Sequence, residues 1–220
     1  MYGHRLLVDI LWPPRHLRRE RRFVALALIG AATLAASAKI TLPLGAVPMS
    51  LQSLAVLMLG AVYGVRLSVA SVALYVIVGV AGLPVFANAT LATAGPQYLL
   101  GPTGGFLAGF ALAAASVGRF AERGWDRSLP KLGAAMLIAH LALLAAGGVW
   151  LAFGAHLPNG GTGVGIERAL AVLAPLLLGA AVKVAIAAVA VHAVRMRLDR
   201  SAQKARSYRV NTPAAPPPVP

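Results

Sequence analysis

A lysine within an apolar segment is the residue of this sequence whose chemistry most needs an explanation. Lys183 lies inside the apolar run 176–196, about seven residues, or roughly 10 Å, from its start. None of the 6 acidic residues falls in such a run, so no acid is placed to neutralise it. A buried, unpaired ammonium is costly unless it lies in a hydrated cavity, loses its proton or meets an anion. We therefore predict that Lys183 binds the carboxylate of an extracellular solute, with snorkelling or a packing role as the alternative.

An irregular stretch, 82–110, is the second candidate for binding. Its polar run from Asn88 to Tyr98 is flanked by glycines and prolines, which let the backbone approach a ligand and form turns. A helix predicted to begin after Pro175 would point its free amide groups at the same place. These features predict a pocket for a small, partly apolar anion, and an ordinary interhelical loop is the alternative. Its apolar walls would come from Phe86, Tyr98, Leu100 and Phe106.

The elements that must position these residues are membrane-spanning helices. With 59% hydrophobic and 12% charged residues in 220, the chain is predicted to be an all-α membrane protein in a lipid bilayer. The first apolar run is about 20 residues, longer than a signal-peptide core, so we expect it to remain as a span. The six spans are predicted at 23–42, 49–65, 67–85, 101–118, 132–153 and 176–196.

The cations predict how this six-transmembrane-helix bundle is oriented. All but Lys39, Arg168 and Lys183 of the 20 lysines and arginines lie at one set of helix ends. The positive-inside rule therefore puts both termini in the cytoplasm and the chain in the plasma (inner) membrane. The same placement argues against a nucleic acid partner, despite a net charge of +14. The outward loops are then 43–48, 86–100 and 154–175, the last a candidate lid.

The predicted organisation has one membrane domain and two basic extensions. Residues 1–22 form a cytoplasmic arm, and residues 23–197 form the substrate-binding membrane domain. Residues 198–220 end in a proline-rich sequence and are expected to be a disordered tail.

Several kinds of chemistry are excluded by composition and placement. The chain has no cysteine, so it has no disulfide and no thiolate site. The absence of acids from the spans removes the usual proton relay and the paired carboxylates of a glycosidase or aspartyl protease. The histidines of the spans, His140 and His192, have no second ligand at helical spacing, so no metal or other cofactor is predicted. No phosphate loop or nucleophile elbow is present, so an enzyme is not expected.

Small residues recur every fourth position on the first predicted helix. Ala27, Ala31 and Ala35 form one stripe, and Ala32 and Ala36 form another. Small residues four apart allow close helix approach. The stripe either packs on a neighbouring helix of the same bundle or receives a partner protein.

Three motifs in this order carry a resemblance to a known family. They are PMSLQSLAVL at 48–57, GLPVFA at 82–87 and LGPTGGFLAGF at 100–110. Over about 23–197 the chain resembles the BioY family, the biotin-binding S components of energy-coupling factor (ECF) transporters. The resemblance implies high-affinity capture of biotin at the outer face and its delivery inward. The partners implied are an EcfT-type transmembrane coupling protein and ABC-type ATPase subunits.

The resemblance also implies roles for individual residues. Asn88 would contact the ligand, and Gln52 and Tyr98 lie in ligand-lining segments, with Ser50 beside Gln52. Ala27, Ala31 and Ala35 would form the docking face for the coupling protein.

One family position departs from its pattern. Ala180 stands where the family has an aspartate, three residues before Lys183. Losing a charge-assisted hydrogen bond there would cost about 1.5–3 kcal/mol, so biotin binding would be weakened or the ligand would be a related anion.

Three rival functions remain open at this point. The chain would be a solitary biotin or small-anion carrier if it needs no ATPase. An intramembrane enzyme acting on lipid is a more distant alternative, for which no catalytic constellation is found. A structural protein would leave Lys183 and the polar run without a purpose.

Overall fold

The fold is a bundle of long helices, as the apolar runs predict. A computed structural model describes residues 6–13, 19–42, 49–157 and 160–211. Five of the helices in these ranges are long and apolar enough to cross a membrane. The helices are α1 (Leu7–Leu11), α2 (Arg19–Ala38), α3 (Gln52–Val80), α4 (Gln97–Leu100), α5 (Gly104–Glu122), α6 (Leu129–Phe153) and α7 (Ile166–Asn211), with a short 3₁₀ turn at Trp125–Arg127.

The long helix α3 turns back on itself at Gly64. The backbone of Gly64 leaves the helical conformation, with φ of 73° and ψ of −176°. Gln52 Nε2 donates a hydrogen bond to Tyr75 Oη at 2.6 Å, although these residues are 23 positions apart. A straight helix would separate them by roughly 35 Å, so the two arms of α3 must lie side by side. The predicted break between spans 49–65 and 67–85 therefore lies at this turn.

The Gly64 turn is packed tightly against α5. Glu122 Oε1 accepts a hydrogen bond from the Val65 amide at 2.9 Å, which satisfies a backbone donor freed by the turn. A Cβ at Gly118 would meet the Val65 nitrogen at 2.6 Å, so a side chain there is excluded by backbone. Small residues thus let α5 approach the turn closely, as expected for helices that associate by packing.

Replacing Gly64 by alanine is expected to destabilise the fold by about 1–3 kcal/mol, since its backbone region is essentially restricted to glycine. The new Cβ would also meet Glu122 Oε1 at 2.8 Å. Gly133→Ala is the matched control, because a Cβ at Gly133 meets nothing within 4 Å. Unfolding of the detergent-solubilised variants by denaturant measures the difference. Equal stabilities of the two variants would contradict the expected strain.

The ends of the bundle differ in charge. At one end, hereafter the cavity end, α2 finishes at Ala38, α3 begins at Gln52 and α6 finishes at Phe153. At the other, hereafter the charged end, α3 reverses and α5 finishes at Glu122. Ion pairs collect at the charged end, among them Arg22 to Asp9 at 2.8 Å and Arg195 to Asp126 at 3.3 Å. Acidic residues, which were predicted to lie outside the spans, thus form ion pairs near helix ends.

Helix α7 differs most from the sequence-based expectation. It begins at Ile166 and contains Pro175, so the prediction that this helix begins after Pro175 is wrong. A proline removes one amide donor, but neighbouring helices allow an apolar helix in a membrane to continue through it. The helix also continues to Asn211, so residues 198–211 are not the predicted disordered tail. Residues 212–220 lie outside the described residues.

A small strand pair also departs from the prediction of an all-helical chain. The segments Thr41–Leu42 and Met49–Ser50 pair antiparallel, with Thr41 opposite Ser50. The pairing satisfies backbone groups where the chain leaves α2 and returns into α3. The predicted outer loop 43–48 between them lies outside the described residues.

Candidate functional site

A cavity of about 370 Å³ lies at the cavity end of the bundle. This volume is at the small end of the range for ligand pockets, and apolar walls with a few polar groups are typical of them. None of its described lining residues is acidic. Its polar lining side chains are Thr41, Ser50, Gln52, Ser53, Tyr75, Asn88, Tyr98, Thr103, His140 and Lys183.

Lys183 enters the cavity from α7 and does not face lipid. Its side chain is 4% exposed, and Nζ donates to the Ser50 carbonyl oxygen at 2.8 Å and to Ser53 Oγ at 3.4 Å. Both acceptors are uncharged. An ammonium carries three donors, so one remains for a ligand. The described part of the cavity therefore has a positive charge and no carboxylate to balance it, which favours an anionic ligand.

Gln52 and Tyr75 form the deep polar wall where the two arms of α3 meet. Gln52 is 4% exposed and Tyr75 is 1% exposed. The Gln52 amide donates to Tyr75 Oη at 2.6 Å, and that hydroxyl donates to the Val85 carbonyl at 3.3 Å. Ser50 Oγ donates to Gln52 Oε1 at 3.2 Å. This chain of hydrogen bonds holds the wall in one arrangement, so it is organised before a ligand arrives.

The loop after α3 carries the mouth of the cavity. Asn88 lines the cavity with φ of 56°, a left-handed conformation that asparagine tolerates better than most residues. Tyr98 Oη donates to the Ala87 carbonyl at 2.8 Å, and the Tyr98 ring stacks on Phe86 with centroids 4.5 Å apart. Burial raises the pKa of the Tyr98 hydroxyl, so this group remains a neutral donor. The polar run predicted from the sequence thus contributes both ends, Asn88 and Tyr98, to one site.

Lys39 ties this loop to α2. Its Nζ donates to the Phe86 carbonyl at 3.0 Å and to the Ala89 carbonyl at 3.4 Å. These carbonyls lie on both sides of Asn88, so the lysine holds the turn that presents it. Lys39 is one of the three cations that lie away from the basic helix ends, and the structure gives it this loop-holding contact.

Lys39→Met is expected to weaken ligand binding about three- to tenfold, because hydrogen bonds of this kind contribute about 1 kcal/mol each. Lys131→Met, an exposed lysine at the charged end, is the matched control. Titration of the purified variants with labelled ligand measures both. Unchanged affinity of Lys39→Met would show that the loop holds its shape without this contact.

Two of the predicted ligand contacts lie outside the cavity wall. Phe86 is fully buried between the Tyr75 and Tyr98 rings, where it supports the wall from behind. Ala180 is 2% exposed and belongs to the helix-packing core. Three positions along a helix turn the side chain by about 300°, so Ala180 and Lys183 diverge by about 60°. Of the other predicted wall residues, Phe106 lines the cavity and Leu100 does not.

The predicted docking stripe faces the chain itself. Ala27 is 6% and Ala31 is 8% exposed, and both pack in clusters with α3 residues. Ala35 is half-buried against the same core. The stripe therefore serves a neighbouring helix of the bundle, which was the first of the two readings. Ala32 and Ala36, on the opposite side of α2, are exposed.

Sequence reasoning missed five polar residues that line the cavity: Thr41, Ser53, Tyr75, Thr103 and His140. Tyr75 and His140 lie in the middle of apolar helices, where a single polar residue is usually interpreted as part of the packed core. His140 was set aside because no second metal ligand lies one helical turn away. No group of three or more metal-ligating side chains occurs among the described residues.

Comparison with known proteins adds to this geometry. The model of the BioY family matches residues 14–200. The chain belongs to the BioY family. A biotin transporter BioY from Rhodobacter capsulatus is 33% identical to this BioY-family chain over 177 residues, covering 76% of the chain and 89% of the relative. A biotin transporter BioY from Thermotoga maritima is 42% identical over 109 residues, which cover 50% of the chain and 59% of the relative.

A solved structure supports the fold of this BioY-family chain. A crystal structure of the S-component for biotin from an ECF-type ABC transporter superposes with a TM-score of 0.67. The superposition covers 81% of the chain and 93% of that protein, at 19% sequence identity. The likeness concerns the arrangement of the helices.

Proposed function

We propose that this chain captures biotin in the cavity at the outer face of the membrane and delivers it inward as a transport subunit. The observation that carries the proposal is Lys183, buried in the cavity without a neighbouring carboxylate among the described residues, in a chain of the BioY family. The relatives from Thermotoga maritima and Rhodobacter capsulatus are named biotin transporters.

The chemistry of biotin fits the chemistry of the cavity. Biotin has a carboxylate at one end, a cyclic urea at the other, and an apolar chain and a sulfur-containing ring between them. The Lys183 ammonium would take the carboxylate, and the aromatic and aliphatic walls would take the apolar part. Asn88, Gln52 and Ser50 would contribute neutral polar contacts, with Tyr98 closing the mouth.

The chain would cross the bilayer six times, with the two arms of α3 counted separately. The charged end, which holds most of the arginines, would face the cytoplasm of the inner membrane by the positive-inside rule. Both termini would then be cytoplasmic and the cavity would open outward. The described residues of this outer loop, 154–157 and 160–165, pack back on the cavity end through the His156 amide, which donates to the Leu100 carbonyl at 2.8 Å. This loop is the candidate lid.

An EcfT-type coupling protein with paired ATPases would drive release. The structural neighbour is an S-component of an ECF-type ABC transporter, and the described part of this chain shows no ATP-binding loop. Since Ala27 and Ala31 are buried, the coupling protein would meet the exposed side of α2, which carries Leu28, Ala32 and Ala36.

Titration of the purified chain with labelled biotin tests the proposed capture. Binding at submicromolar concentration is expected, with competition by unlabelled biotin and none by lipoate, which has a carboxylate but no urea. No binding at micromolar biotin would overturn the proposal.

A solitary carrier is separated from a capture subunit by uptake. Cells that lack any coupling protein and its ATPases would accumulate labelled biotin when they express the chain alone, if the chain is a solitary carrier. Accumulation only after the coupling module is supplied supports the subunit.

A further inference from the structure

His140 is a buried polar residue for which the proposed function has so far given no role. It lies on α6, is 2% exposed and lines the same cavity as Lys183. Its Nδ1 is buried without a hydrogen-bond partner in the described chain. Buried polar atoms are nearly always paired, and an unpaired one costs about 1–3 kcal/mol. An orphan nitrogen in the wall of a cavity therefore calls for a partner that enters from outside.

The other deep polar groups of the cavity are already engaged within the protein. The Gln52 amide donates to the Tyr75 hydroxyl, and that hydroxyl donates to the Val85 carbonyl. Ser53 Oγ accepts from Lys183. The polar groups of a ligand bound here would have to break these hydrogen bonds or pair with a protein group that is not yet hydrogen-bonded.

The ligand of the proposed function brings polar groups of two kinds. Its carboxylate is matched by the Lys183 ammonium, which has a donor left after its bonds to Ser50 and Ser53. Its cyclic urea carries N–H donors and a carbonyl acceptor, all uncharged. No acidic residue lines the described cavity, so the N–H groups need a neutral acceptor. A neutral imidazole offers one acceptor nitrogen and one donor nitrogen.

We propose that His140 is a specificity-determining residue that hydrogen-bonds the cyclic urea of the ligand, while Lys183 holds the carboxylate. The inference rests on the proposed function, and it assigns the two polar ends of the ligand to two different helices, α6 and α7. The unpaired nitrogen lowers the stability of the empty protein and is satisfied when the ligand binds.

His140→Leu keeps the volume of the side chain and removes its hydrogen bonding, and His140→Gln restores a neutral donor and acceptor. His140→Leu is expected to bind biotin about tenfold more weakly or worse, with partial recovery in His140→Gln. The matched control is His192→Leu, a histidine at the charged end whose Nδ1 lies 3.2 Å from the Asp126 carbonyl. Its biotin affinity should equal that of the native chain.

Two ligand analogues locate the contact. Native and His140→Leu proteins should bind biotin methylated on its urea nitrogens with equal affinity, because this analogue has no urea N–H donors. His140→Leu should bind biotinamide, which lacks the carboxylate, more weakly than the native protein does, by about the same factor as for biotin. The empty His140→Leu protein should melt at the same temperature as native or higher, whereas biotin should raise its melting temperature less.

Three results would overturn the inference. Biotin affinity of His140→Leu within twofold of native is the first. The second is an equal loss for the methylated analogue, which would indicate packing. The third is a loss that disappears with biotinamide, which would place the histidine at the carboxylate. If the native chain itself fails to bind biotin, the proposed function is overturned instead, so the two failures are distinguishable.

Discussion

Lys183→Met is expected to weaken biotin binding by about 2–5 kcal/mol, or about 30- to 4,000-fold, because it leaves the ligand carboxylate buried without a counter-charge. The lysine is 4% exposed and no acidic residue lines the described cavity with it. Water therefore screens its attraction for an anion only weakly. No carboxylate among the described cavity residues competes with the ligand for this charge. Methionine retains the length of the apolar stem, so packing changes little.

The measurement is a binding titration with biotin and with biotinamide. Native protein should prefer biotin strongly, and Lys183→Met should bind the two ligands with similar affinity. The empty variant should be at least as stable as native, since it removes a costly buried charge. A variant that still prefers biotin over biotinamide by the native factor would show that another group holds the carboxylate.

Arg195→Met is expected to lower the free energy of unfolding by about 3–5 kcal/mol, the usual cost of breaking a buried ion pair from one side. Arg195 is 1% exposed and pairs with Asp126, which is fully buried, at 3.3 Å. Removing the guanidinium leaves the Asp126 carboxylate in the protein interior without this counter-charge. Asp199, the second partner at 3.4 Å, is 32% exposed and can be hydrated instead.

A double variant separates the ion pair from simple packing. Arg195→Met combined with Asp126→Asn should recover part of the loss, because no buried charge is then left over. Arg197→Met is the control, since Arg197 is an exposed arginine of the same helix and should change stability by less than about 0.5 kcal/mol. Denaturant unfolding in detergent reports all three. A native-like stability of Arg195→Met would contradict the expectation.

Composition and chain order determined the kind of protein. Residues of an apolar run long enough to span a bilayer must form a helix, because lipid offers backbone groups no other partner. The motifs at 82–87 and 100–110 then predicted the family that the comparison identifies. Lys183 was singled out for the same reason, since a charge within such a run needs a partner wherever the helix lies.

The helix limits were less predictable than the helices. Pro175 was expected to begin a helix, yet α7 runs through it. Helices that span a membrane tolerate a proline when they pack against other helices, and the sequence around the proline does not show that packing. Which side of α2 is buried could not be decided either, since Ala31 and Ala32 are chemically identical and only their packing separates them.

The membership of the binding site was decided by tertiary structure. Tyr75 and Gln52 are 23 positions apart and meet only because Gly64 reverses α3. His140 and Lys183 lie on different helices, and in the sequence each is one polar residue among apolar neighbours. Burial and the hydrogen bonds of every neighbour determine whether such a residue is satisfied within the protein or left for a ligand, and these depend on contacts between distant segments.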